Sequence, residues 1–171
     1  MPRNLEIKAR IDNVKLAQTI AQSINATYAG VLHQVDTYFI VQQGRLKLRE
    51  IIDSHSELIY YLREETSVQR KSDYEIHPVH NGLSLKRILE HSLGIAATVQ
   101  KTRTLFLYGD ARIHIDEVKE LGSFLEFEVP VLDSHSAAEQ TMQFLIEKFN
   151  IQKTDFLHHS YLDMMLDQPT S

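Results

Sequence analysis

Cysteine is absent from the 171 residues, which excludes disulfides, thiolate chemistry and cysteine-ligated zinc. No stretch reaches the roughly 18 apolar residues that a membrane-spanning helix needs, and the N-terminus lacks the apolar region of a secretory signal. The expectation is therefore a soluble, cytoplasmic protein with no membrane partner. Glycine and proline are few, at six and four, and no low-complexity tract or repeat divides the chain. One compact domain over residues 1–171 follows, long enough for a real core. Blocks of like charge are missing too, and a net charge of −5 predicts no general nucleic-acid surface.

What is present is alternation. The segment RNLEIKAR places Asn4, Glu6, Lys8 and Arg10 on one parity and Leu5, Ile7 and Ala9 on the other, which is the period of a half-buried strand over about 4–11. Asp12-Asn13 offers a helix cap, with Val14, Ala17, Ile20, Ala21 and Ile24 at helical spacing behind it, and Gly30 is expected in the loop that follows. Four strand-like runs come next, VLHQVDTYFIV, RLKLREII, ELIYYLREE and SDYEIHPV, separated by breaks too short for parallel crossovers. Ser84 opens a second helix that Gly94 ends. Three more strands, VQKTRTLFLY, ARIHIDEV and SFLEFEVPVL, precede an amphipathic helix over 134–149 and a short helical tail. The order is βαββββαβββα, an α+β chain. Eight mostly antiparallel strands over about 4–132 close into a barrel that leaves no exposed edge, with a helical segment over about 134–166.

The charges sort by strand. Arg45, Lys47 and Arg49 share one parity, as do Lys101 and Arg103; Arg112, His114 and Asp116 share another, and Glu126 and Glu128 a fourth. Tyr61, Arg63 and Glu65 align on ELIYYLREE, and Asp73, Glu75 and His77 on SDYEIHPV. The opposite parities are largely apolar and suit packing under helices, so the charged faces point either into the barrel or to water. Arginine forks and lysine ammonium groups suit a polyphosphate. Carboxylates suit the hard divalent cation that accompanies one. Both together in one cavity point to a metal and a triphosphate.

On these residues the chain resembles the CYTH family of triphosphate tunnel metalloenzymes. NLEIK stands where the family carries E-x-E-x-K, followed in order by QVDTYF, RLKLRE, KTR, IDEV and GSFLEFEV. The resemblance covers essentially the whole chain and is nearest to the CyaB-type, class IV adenylyl cyclase branch. It implies an eight-stranded tunnel in which Lys8, Lys47, Arg49, Lys101 and Arg103 hold a triphosphate and Glu6, Asp116, Glu126 and Glu128 hold Mg²⁺ or Mn²⁺. Lys8, Lys101 and Arg103 are then the catalytic candidates. Arg10 and Arg63 are further substrate-binding candidates, and Asn4, Arg45, Glu75, Arg112 and His114 are possible members of the site.

Two departures bear on the reaction. Asn4 replaces the first acid of E-x-E-x-K, and YYLREE has Leu62 and Arg63 where the cyclases carry a lysine after the tyrosine. The implied activity is conversion of ATP to cyclic AMP and pyrophosphate. The alternatives are a triphosphatase, with inorganic or organic substrate, and a sensor that binds a nucleotide or polyphosphate without turnover. The partner is a triphosphate-containing small molecule rather than a nucleic acid, and a homodimer is compatible with the sequence. Of the nine histidines, His114 alone lies on the tunnel parity of its strand in this reading. Asp36, Tyr38 and Tyr161 read equally as packing or site residues.

Overall fold

The computed structural model describes residues 3–63, 70–132 and 134–168, apart from the side chains of residue 63 and residues 70–72. The elements run β1 (Arg3–Arg10), α1 (Val14–Ser23), β2 (Thr27–Phe39), β3 (Arg45–Ile51), β4 (Ser56–Arg63), β5 (Arg70–Val79), α2 (Gly82–Leu93), β6 (Ile95–Tyr108), β7 (Ala111–Val118), β8 (Gly122–Pro130), α3 (His135–Lys148) and α4 (Tyr161–Leu166). The strands form one closed barrel in the order β1-β5-β4-β3-β2-β6-β7-β8, and every pairing is antiparallel. This is the eight-stranded barrel that the alternation predicts.

Local chemistry sets the element ends. Asn13 caps α1 by accepting from the Leu16 amide at 2.9 Å, and Ser134 caps α3 through the Ala137 amide at 3.1 Å, each satisfying an amide that the helix leaves unpaired. The cap of α2 is Asn81, which accepts from the Ser84 amide at 2.9 Å, so the helix begins before the serine expected to open it. Gly30 lies inside β2 rather than in a loop. Its φ of 126° coincides with a register shift against β6, a bulge conformation that a side chain would strain.

The position of α1 and α3 decides which way the charges turn. Leu5, Ile7, Phe106, Ile113, Ile115, Leu125, Phe127 and Val129 on the outer faces of β1, β6, β7 and β8 pack with Ala17 and Ala21 of α1 and with Ala138, Met142 and Leu145 of α3. Because strand side chains alternate, the intervening Glu6, Lys8, Arg103, His114, Asp116, Glu126 and Glu128 must enter the barrel. Around β4 and β5 the outer side is more open, and Leu62, Glu75 and His77 are exposed.

The C-terminal segment closes one end. Among the described residues β5 pairs with β1 along Arg3–Glu6; further along β1, Phe156 bridges to Ala9 while the Leu157 amide donates to the Lys8 carbonyl at 2.9 Å. A capping box between Ser160 and Asp163 then starts α4. Tyr161 and Leu162 pack with Tyr38, Val99, Val118 and Phe124 as the floor of the barrel.

Leu145 is fully buried between α3 and the sheet. Leu145→Ala is expected to lower the unfolding free energy by about 2–5 kcal/mol, read from the midpoint of a denaturant titration at unchanged slope.

Candidate active site

Within the barrel lies a cavity of about 520 Å³ lined by Asn4, Glu6, Lys8, Lys47, Arg49, Lys101, Arg103, Arg112, His114, Glu126 and Glu128 together with apolar and aromatic side chains. Strand register brings these groups together from distant parts of the chain. Lys8 lies opposite Glu126 and Glu6 opposite Glu128 across β1–β8, while β7–β8 sets His114 opposite Glu126. Asp36 lies opposite Arg49 across β2–β3, and Arg103 opposite Asp116 across β6–β7.

One wall is organised by a single carboxylate. Asp36 is fully buried; its Oδ2 accepts from Lys47 Nζ at 3.0 Å, Lys101 Nζ at 3.2 Å and Arg49 at 2.8 Å, and its Oδ1 accepts from Arg49 Nε at 2.8 Å. Burial alone would raise the Asp36 pKa, but Arg49, Lys101 and Lys47 overcome it and hold the group well below the usual carboxylate range. Burial pushes the Lys101 pKa down to about 7 against the opposing pull of Asp36, with Arg103, Arg49 and Lys47 adding repulsion. Three cations around one anion leave this wall with surplus positive charge.

The acidic wall is built differently. Glu126 accepts from Lys8 Nζ at 3.0 Å on Oε1 and from Arg103 at 3.1 Å on Oε2. Burial works to raise the Glu126 pKa, but Lys8, His114 and Arg103 keep it well below its ordinary value. One ligand atom each of His114, Glu126 and Glu128 fall within 4.8 Å of one another, a spacing that could hold a metal ion. Glu6 lines the same cavity one strand over. At the floor, the Tyr161 hydroxyl donates to Asp116 Oδ2 at 2.8 Å, and its ring lies 3.8 Å from Lys8 Nζ and 5.2 Å from Lys101 Nζ.

Several expected residues stand elsewhere. Asp116 is not open to a metal, because it is fully buried and both of its oxygens accept from Arg103 at 2.7 Å, with Tyr161 on one of them. It clamps Arg103 instead. Arg10, at the end of β1, is exposed; its guanidinium donates to the Leu121 carbonyl at 2.9 Å and lies over Phe124. Arg45 donates to Asp163 of α4 at 2.8 Å, outside the cavity lining. Glu75 is exposed, because the pleat of β5 turns Tyr74 and Ile76 inward. The Arg63 side chain lies outside the described residues.

The largest omission from the sequence reading is Asp36, whose run VDTYF has no clean alternation. Residues Asp36 to Phe39 of β2 are all buried, so neither parity stood out. Gln34, Tyr61, Tyr74 and Tyr161 also line the cavity. The signal that could have marked Asp36 is that it is the one acid of this strand.

The barrel and its charged interior define a triphosphate tunnel fold, and the comparisons agree. The CYTH domain model matches residues 2–161, and the chain belongs to that family. No curated protein matches the sequence. Among solved structures, the PH1012 protein of Pyrococcus horikoshii superimposes with a TM-score of 0.85 at 16% identity, over 94% of this chain and 98% of that one. A candidate adenylate cyclase of Vibrio parahaemolyticus gives a TM-score of 0.76 at 20% identity, over 95% and 97%. A candidate adenylyl cyclase of Hippeastrum with a dominant triphosphatase activity gives 0.67 at 10% identity, over 96% and 94%. At these identities the likeness is one of fold.

Asp36→Asn removes the anion that Lys47, Arg49 and Lys101 share. Leaving buried charge uncompensated is expected to cost about 3–5 kcal/mol. Added tripolyphosphate should then raise the thermal midpoint of the variant more than that of the parent. Equal midpoints and equal responses would show that the carboxylate does not organise the wall.

Proposed function

We propose that the protein is a divalent-metal-dependent enzyme that acts on a nucleoside triphosphate in the tunnel as a class IV adenylyl cyclase does, converting ATP to cyclic AMP and pyrophosphate. The observation that supports this best is the division of the cavity. A cation wall on β2, β3 and β6 and an acid wall on β8 and β1 share one interior, separated by β7 on one side of the ring and by β4 and β5 on the other. Phosphoryl transfer needs little beyond positioning and charge neutralisation, and this arrangement supplies both.

In this reading Lys47, Arg49 and Lys101 grip the phosphate chain, with their surplus charge pre-set by Asp36. Lys8, Lys101 and Arg103 carry the charge that develops at the reacting phosphorus, and Arg112, exposed at the cavity lining, meets the substrate at the mouth. The donors Glu6, Glu126 and Glu128 suit Mg²⁺ or Mn²⁺, which would neutralise and orient the phosphate oxygens. Arg103 is oriented by its two bonds to Asp116, and Lys8 by Glu126 and the Tyr161 ring. Leu32, Ile51, Ile59, Tyr74 and Ile76 give part of the cavity an apolar lining, which suits an organic head group. Attack by the substrate's 3′-hydroxyl on the α-phosphorus then expels pyrophosphate.

The second reading, a triphosphatase, has water as the nucleophile against the same walls. Its specific support is Asn4, which lines the cavity as a neutral amide where the family motif places an acid. The two readings are separated by supplying ATP, GTP, thiamine triphosphate and inorganic tripolyphosphate with Mg²⁺ or Mn²⁺ and resolving the products. Cyclic AMP with pyrophosphate is the expected result from ATP; orthophosphate release selects hydrolysis. Tight binding with no product from any of the four makes the protein a sensor.

Lys101 adds a pH signature. Its folded-state value near 7 means that the amine is charged below that pH and loses its proton as the pH rises through it. Metal-free tripolyphosphate affinity should therefore fall between pH 7.5 and 9, by up to about tenfold per unit for one linked proton. Lys101→Arg should flatten the profile, since arginine stays charged. Isothermal titration across that range reads both.

A further inference from the structure

We propose that His114 is itself a metal ligand, so that the site holds its cation through one imidazole nitrogen and the carboxylates of Glu126 and Glu128 and favours Co²⁺ or Zn²⁺ over Mg²⁺ more than an all-carboxylate tunnel would. The inference rests on the metal-dependent reading for the ion's role, though not for its binding.

The ring of His114 is 1% exposed and lines the cavity, yet hydrogen bonds account poorly for it. Its Nδ1 makes one long hydrogen bond to Glu126 Oε2, at 3.4 Å, and stands 3.8 Å from Glu128 Oε1, both beyond the usual range of about 2.7–3.2 Å. Among the described residues its Nε2 is one of the buried side-chain atoms with no partner at all. A buried polar ring normally has its hydrogen bonds made. Here one nitrogen is orphaned and the other faces two acids at contact distances too long to bond well.

Those distances suit a shared cation. Two donors each roughly 2.1–2.2 Å from one ion, at ordinary angles, lie about 3–3.8 Å apart. Register explains why the donors meet, since His114 lies directly opposite Glu126 and one inward position along from Arg112, the partner of Glu128.

The neighbourhood also explains why a nitrogen donor is used. Asn4 supplies no carboxylate, and Asp116 is bound by Arg103 and Tyr161. The acids able to meet an ion are therefore reduced, and the next donor inward on β7 is the imidazole. Imidazole binds later first-row ions better than Mg²⁺, which takes oxygen ligands and keeps its water.

The test uses the whole protein without nucleotide, so that its result does not depend on any reaction. Protein with ¹⁵N-labelled histidine is loaded with one equivalent of Mn²⁺, and pulsed EPR is used to look for a directly bonded histidine nitrogen. Calorimetry compares Co²⁺ and Mg²⁺ binding in the parent and in His114→Gln and Glu128→Gln, with circular dichroism as the check on folding. The expected result is a nitrogen coupling in the parent that is absent from both variants. His114→Gln should weaken Co²⁺ binding about tenfold or more and change Mg²⁺ binding by less than about threefold.

Mn²⁺ bound without nitrogen coupling in the parent overturns the inference even if neither variant folds. Equal losses for Co²⁺ and Mg²⁺ in a folded His114→Gln protein overturn it as well, as does a nitrogen coupling that survives in that variant. In each of these cases the triphosphate reading still stands or falls by its own product assays.

Discussion

Asp36 and the three cations around it are the constraint on which the interior depends. A fully buried carboxylate shared by Lys47, Arg49 and Lys101 is tolerated because each charge has an immediate partner. Removing one member of such a cluster strands the others in a medium that solvates them badly. The same cluster is unbalanced by design, with more cations than acids. Lys47, Arg49 and Lys101 of this cluster line the cavity, so in the proposed function a multivalent anion would complete the compensation that the protein leaves unfinished. Binding and stability are in this sense two readings of one electrostatic arrangement.

The opposite wall is matched rather than unbalanced. Arg103 reaches Asp116 and Glu126, and Lys8 reaches Glu126, so its cations arrive already paired. This pairing orients Lys8 and Arg103 without adding net charge, and on the same wall His114, Glu126 and Glu128 are spaced so that they could hold a metal ion. Closure of the floor by Tyr161 joins the two walls, because one aromatic ring lies beside Lys8 of one wall and Lys101 of the other. The C-terminal segment reaches that position by bridging to β1 at Ala9 and donating to the Lys8 carbonyl.

Alternation made much of this legible. Lys47 and Arg49, Lys101 and Arg103, and Glu126 and Glu128 are each spaced by two, and each pair lines the cavity, because one face of their strands is apolar and the other charged. The same rule failed on β5. There the outer side is open to water, so charge is cheap outside, and Glu75 and His77 turn outward while Tyr74 and Ile76 turn in. Inward charge follows from an apolar outer face under a helix; it is not a property of charged strands in general. Asp36 escaped for the opposite reason, since its end of β2, Asp36 to Phe39, is buried on both faces and shows no alternation to read.

Strand period and turn spacing, which are local properties, were enough to determine eight mostly antiparallel strands suited to a barrel and the charged and apolar parity of most of them. Which charge meets which was decided by register: β2–β3 and β6–β7 set Asp36 against Arg49 and Arg103 against Asp116, each 13 residues apart, whereas β1–β8 joins the two ends of the barrel and exists only once it closes. Lys8 and Glu126 are 118 residues apart in sequence and 3.0 Å apart in space. No periodicity within a strand encodes that distance; it arises when the last strand pairs with the first.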